Sequence, residues 1–236
     1  MSGPKYNRGN IYRNKERAEP KYAFIKTCDV IEEIHGQPQN ILDVGGATGE
    51  FASYACDRFP KANVSVLEFD PLLVEQGRTQ FPGINFIVGD ANDMNSIPDQ
   101  SSNATTMLGV HSIFDDFRPS FSECIRVTAK GGVIVIFDIF NEYDVDALIY
   151  WRHSNNLAGE YTRGHNLFSK ASVSHFLGNH ERVASHSYEP FMVPIDLPQR
   201  DDPMRSWTQY TDDGSKCFQD GIMPLNIQIL TLRLLG

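Results

Sequence analysis

The sequence predicts an α/β fold in which a mostly parallel sheet is wrapped by helices. Short β-like runs alternate with amphipathic helical patterns through the first half of the chain. A glycine-rich turn follows the first of those runs, and an alternating, apolar segment at 226–235 supplies one more sheet strand.

Taken in order, Pro20 opens a helix that runs to about His35, where Gly36-Gln37-Pro38 ends it. Asn40–Val44 (NILDV) is a short buried strand, and Glu50–Arg58 is the helix after the turn. Asn63–Glu68 (NVSVLE) is the second strand. Pro71 suits the first turn of a helix at 72–79, with Asp70 as its N-cap. Ile84–Val88 and Ala104–Leu108 are the next strands. Residues 120–129 form a helix that Lys130-Gly131-Gly132 terminates, before a buried strand at 133–138. Beyond Asp138 the period weakens, although a helix at 170–178, a strand at 182–188 and a hairpin at 206–221 around Asp213-Gly214 stand out.

The 236 residues suit one domain with a basic arm at 1–26 and elaborations at 139–169 and 191–224. A net charge of −9 argues against general affinity for nucleic acid. No window is apolar enough for a membrane span, and the N-terminal charges lack a following apolar core, so a cytoplasmic protein is expected. Cys28, Cys56, Cys124 and Cys217 show no metal spacing and read as reduced, structural thiols.

The chemistry is carried by ILDVGGATGEF. Glycines at a strand's carboxyl end let backbone approach a ligand closely, although a tight strand-to-helix connection would look the same. A dinucleotide fold is the functional rival, but G-x-G-x-x-G is absent, and Asp43 just before the glycines would repel pyrophosphate. A carboxylate there suits the ammonium of an amino-acid-bearing cofactor. Glu68, ending the second strand, can accept hydrogen bonds from both ribose hydroxyls, and Asp90 after the third strand can accept from an adenine amino group.

Together LDVGGATG, VLEFDP, VGDA and ECIRVTAKGGVIVIFD resemble the class I S-adenosylmethionine (SAM)-dependent methyltransferases, especially those acting on small molecules. The resemblance implies a Rossmann-like seven-stranded sheet with an antiparallel last strand and helices on both faces. It also implies that Asp43, Gly45, Gly46, Ala47 and Gly49 hold the methionine portion of SAM. Glu68 then takes the ribose, Phe69 packs on adenine, Asp90 and Ala91 read the adenine edge, and Leu108 joins the cofactor contacts. Ala47 departs from the family's pattern by replacing its middle glycine.

The implied reaction transfers a methyl group to an oxygen or nitrogen of a small metabolite, such as a sugar, sugar nucleotide or other phosphorylated precursor, and releases S-adenosylhomocysteine. LGVHSIFDD resembles the segment that sets a histidine beside the reactive end of the cofactor, so His111 is either a general base or a wall of the site. In the aromatic and basic segment Tyr143–His165, Tyr150, Arg152 and His153 are candidate acceptor contacts; a packed lid is the alternative. Tyr12, Arg13 and Arg17 of the arm are candidates for a phosphate on the acceptor or for the cofactor carboxylate; a solvated, partly disordered tail is the default reading. The rival readings are a protein methyltransferase, an NAD-dependent oxidoreductase, and a methyltransferase-like scaffold without catalysis.

Overall fold

The computed structural model describes residues 20–236. Helix α1 (Tyr22–His35) ends where Gly36, at φ +74°, returns its N–H to the Glu32 carbonyl. Strand β1 (Asn40–Val44) leads through the glycine turn into α2 (Glu50–Arg58), and β2 (Asn63–Glu68) leads into α3 (Pro71–Gln80). Asp70 caps α3 by accepting from the Leu72 N–H at 2.9 Å, with Pro71 in the first turn. Strands β3 (Asn85–Val88) and β4 (Ser102–Leu108) come next, followed by a short 3-10 turn at His111–Ile113.

The next connection differs from the sequence expectation. Helix α4 spans Arg118–Val127, and β5 begins at once and runs Thr128–Ile139 through both glycines. Thr128 explains the early start: its hydroxyl bonds the Cys124 carbonyl at 2.6 Å and lies 2.7 Å from the Thr105 hydroxyl, which pins it to β4. The register of β4 on β5 then shifts between Ser102 and Ala104. At this irregularity a Cβ on Gly132 would lie 2.8 Å from the Asn103 carbonyl oxygen. Lys130-Gly131-Gly132 is therefore a kink within a strand rather than a helix terminator.

The aperiodic stretch forms a small hairpin, β6 (Tyr150–Trp151) with β7 (Thr162–Arg163). Helix α5 (Lys170–Gly178) precedes β8 (Val183–Pro190). Strands β9 (Trp207–Tyr210) and β10 (Lys216–Gln219) form the expected hairpin, with Gly214 at φ +83° in its turn, and β11 (Pro224–Leu225) extends it to three strands. The last strand, β12 (Ile227–Leu234), enters the main sheet antiparallel to both β5 and β8.

The main sheet has seven strands in the order β3-β2-β1-β4-β5-β12-β8. Alternating side chains divide the core between its faces. Ile41, Val64, Val66, Val133 and Val135 pack with α1, α2 and α3. Leu42, Leu67, Met107, Ile134 and Ile136 pack on the other side with α4 and α5. A third, smaller cluster, made by Ile139, Val193, Phe218 and Leu225, seats the three-stranded sheet on the exit of β5. All four cysteines are free, with Cys28 and Cys124 buried. Among the described residues no helix is long and apolar enough to cross a membrane.

Candidate active site

The carboxyl ends of the parallel strands converge on the glycine turn. Asp43 is buried at the end of β1 and accepts from the Thr106 hydroxyl of β4 at 2.9 Å. Its second oxygen, Oδ2, is buried with no hydrogen-bond partner among the described residues. A Cβ on Gly46 would lie 2.3 Å from that oxygen, so only glycine lets the turn cross so close above the carboxylate. Burial pushes the Asp43 carboxyl up to about 7, more than the Thr106 bond lowers it.

Glu68 anchors the other side. Its Oε2 accepts from the Ala47 N–H at 3.0 Å, and its Oε1 accepts from the Asp70 N–H at 2.9 Å. Ala47 sits at φ +50°, in the left-handed region that favours glycine. Asp90 accepts from the backbone and side-chain amides of Asn92, both through Oδ1, which closes a turn and shapes the rim beside the buried Ala91. Phe69 is 51% exposed at the end of β2, while Leu108 ends β4 partly buried. The turn also touches the β4 exit, since a Cβ on Gly45 would lie 2.5 Å from Val110 Cγ2.

These residues fit an adenosine cofactor with an amino-acid tail. The unpartnered Asp43 oxygen calls for a cationic donor, and the Glu68 carboxylate, held by the Ala47 and Asp70 amides, is an acceptor for a hydroxyl.

His111 lies elsewhere in character. Its ring is fully buried, stacked on Phe140 at 4.8 Å and flanked by Phe117, Phe121 and Phe168. Neither ring nitrogen has a hydrogen-bond partner among the described residues, and burial drives its pKa down to about 4. Four aromatic rings thus surround the imidazole.

The predicted acceptor residues are split. The Tyr150 hydroxyl is 3.4 Å from both Asp115 carboxylate oxygens. Arg152 turns back on its own loop, donating to the Leu157 carbonyl at 2.7 Å and lying over the Tyr161 ring at 4.6 Å. His153 packs edge-on against Trp151. Tyr12, Arg13 and Arg17 lie outside the described residues.

Sequence reasoning missed the clasp that holds the hairpin over the strand exits. Arg163 pairs with Asp115, and the buried Asn166 receives the Ile149 N–H at 2.7 Å while donating to the Phe114 carbonyl at 2.7 Å. The Asn166 N–H also reaches the Ser112 carbonyl at 2.7 Å. No local motif marks these residues, because their partners are far away in sequence.

In an open α/β sheet, a glycine turn at a strand's carboxyl end lies where ligands bind. Residues 42–136 match the methyltransferase-domain family. Over 114 residues the chain is 28% identical to malonyl-[acyl-carrier protein] O-methyltransferase 1 of Ilyobacter polytropus, a stretch covering 46% of this chain and 42% of that protein. It is 27% identical to the demethylmenaquinone methyltransferase of Thermotoga maritima, covering 48% of each chain. The chain thus spans about half the length of these relatives, or less. Its fold resembles that of the YcgJ protein of Bacillus subtilis, with a TM-score of 0.61 at 15% identity over 90% of this chain and 99% of that one. Residues 42–136 thus carry a methyltransferase domain, and the fold around it is shared with a SAM-dependent methyltransferase of Thermotoga maritima, with a TM-score of 0.52 at 13% identity over 90% of this chain and 89% of that one.

Proposed function

We propose that this chain transfers a methyl group from SAM to an oxygen or nitrogen atom of a small metabolite, releasing S-adenosylhomocysteine. The observation that carries this reading is the unpartnered, buried Asp43 oxygen beneath Gly46, with Glu68 at the end of β2 and Asp90 just past β3. When bound, the cofactor supplies an already electrophilic methyl group, so the protein's task is alignment and exclusion of water. Asp43 and the turn from Gly45 to Gly49 orient the amino-acid end, Glu68 the ribose, and Phe69, Asp90 and Ala91 the adenine.

The whole chain acts as one unit in this reading, with residues 139–169 and 191–224 building the acceptor side. Arg152 and His153 stiffen the hairpin, and His111 is a buried wall rather than a base. Relatives named for malonyl-[acyl-carrier protein] and for demethylmenaquinone support a small organic acceptor group. The finer expectation of a sugar, sugar nucleotide or other phosphorylated precursor has no contact among the described residues to support it, so the coarser class is the one proposed.

Calorimetry with SAM, S-adenosylhomocysteine and NAD tests the cofactor half: the first two bind and NAD does not. NAD binding without SAM binding overturns the reading. Incubating a metabolite pool with methyl-labelled SAM tests the transfer and identifies the acceptor.

A further inference from the structure

His165 is the only described histidine paired with a carboxylate. Its Nδ1 lies 3.3 Å from Asp220 Oδ2, and no described hydrogen bond engages its Nε2. The His165 side chain remains 18% exposed, whereas Asp220 is fully buried. The Asp220 turn is well anchored, since Oδ1 accepts from the Ile222 N–H at 2.8 Å and the Met223 N–H at 2.9 Å. Burial opposes ionisation of Asp220, but His165 and these amides outweigh it and lower the carboxyl's pKa. An ionised Asp220 favours the ring proton on Nδ1, which puts the lone pair on Nε2.

The dyad also stands in the right place. Gly45 of the cofactor turn abuts Val110, and two residues on the Ser112 carbonyl receives the Asn166 N–H, next to His165. From the other side, Asp220 follows β10, whose Phe218 packs with Ile139 at the exit of β5. Residues beside both partners therefore pack on the segments that leave β4 and β5, the strands next to β1 and its glycine turn in the sheet order.

We infer that His165, oriented by Asp220, is the general base that deprotonates the methyl acceptor. This rests on the methyltransferase reading above and adds the group that makes a hydroxyl or protonated nitrogen nucleophilic. As the acceptor atom forms its bond to the methyl carbon, Nε2 takes the acceptor's proton. The methyl–sulfur bond breaks with its electron pair left on sulfur, and the imidazolium then gives its proton to water. Asp220 is a positioning residue that stabilises the imidazolium.

The test compares wild type, His165→Ala and Asp220→Asn in transfer from methyl-labelled SAM to the metabolite pool, with SAM binding measured by calorimetry. His165→Ala should bind SAM normally, lose about 100-fold or more in turnover, and recover part of it with added imidazole. Near-normal turnover, or a loss that imidazole does not relieve, overturns the assignment. Should His165→Ala fail to bind SAM through misfolding, Asp220→Asn decides: a displaced pH–rate profile supports the dyad and an unchanged one refutes it. Absence of transfer by the wild type, with SAM bound, instead refutes the methyltransferase reading on which the base depends.

Discussion

The N–H of Ala47, a residue held at φ +50°, donates to Glu68 Oε2 at 3.0 Å. The expected ribose acid is thus also a strut that fixes the cofactor turn to the end of β2. A side chain at that φ carries strain that glycine escapes, only partly offset by alanine's smaller entropy loss on folding. Ala47→Gly is expected to raise stability by up to about 1 kcal/mol, or roughly 2–4 °C in Tm, with SAM affinity retained. Gly46→Ala should abolish SAM binding, because its Cβ would meet Asp43 Oδ2 at 2.3 Å. Thermal melts and calorimetry on both variants check the contrast.

Asp43 opposes stability in order to bind. Its folded pKa of about 7 exceeds the ordinary aspartate value of 3.8, so between those values the unfolded chain releases a proton that the folded chain keeps. Cofactor-free stability therefore falls as pH rises from 3.8 to about 7 and levels off above. Asp43→Asn should flatten that slope while weakening SAM binding about tenfold or more, as loss of a charge-assisted bond implies. Melting curves against pH, beside titration with SAM, check both halves.

His111 gives the opposite slope. Its folded pKa of about 4 lies below the ordinary histidine value of 6.5, so in this range the unfolded chain binds the extra proton and stability drops as pH falls. His111→Phe should keep turnover, since the ring would be a fifth aromatic among Phe117, Phe121, Phe140 and Phe168, and should lessen the acid sensitivity. Loss of turnover with SAM still bound would restore His111 as the base.

Asn166→Ala leaves the Ile149 N–H and the Phe114 carbonyl without their partner. A cost of about 1–3 kcal/mol per abandoned buried group is expected. The loosening should concentrate in the β6–β7 hairpin, where hydrogen exchange would show early loss of protection, while SAM binding persists.

The parallel half was legible because its physics is local. The NILDV, NVSVLE and INFIV runs, their capping residues and the acids at or just beyond their ends all declare themselves within a few positions. Asp70 caps α3 as its position before Pro71 implies. Gly131-Gly132 suit a helix end and a strand kink equally well, and the Thr105–Thr128 contact decides between them. On the acceptor side, function falls to pairs such as Arg163 with Asp115 and His165 with Asp220. Each partner looks like an ordinary loop residue until the fold brings it home. His111 shows the reverse case, a motif position whose role depends on four phenylalanines contributed by three other segments.

The placement of β12 between β5 and β8 has a kinetic consequence. During synthesis β8 emerges before the strand that joins it to the sheet, so it has no neighbour to pair with until Ile227–Leu234 arrives. The β3-β2-β1-β4-β5 portion can assemble first, leaving the edge of β5 open as a docking track. The polar, exposed face of β8, with Ser185, Ser187 and Glu189, then protects the waiting strand from pairing with another chain. Folding should accordingly show a late phase assigned to β12 insertion, slowed by the distance in sequence over which those contacts close.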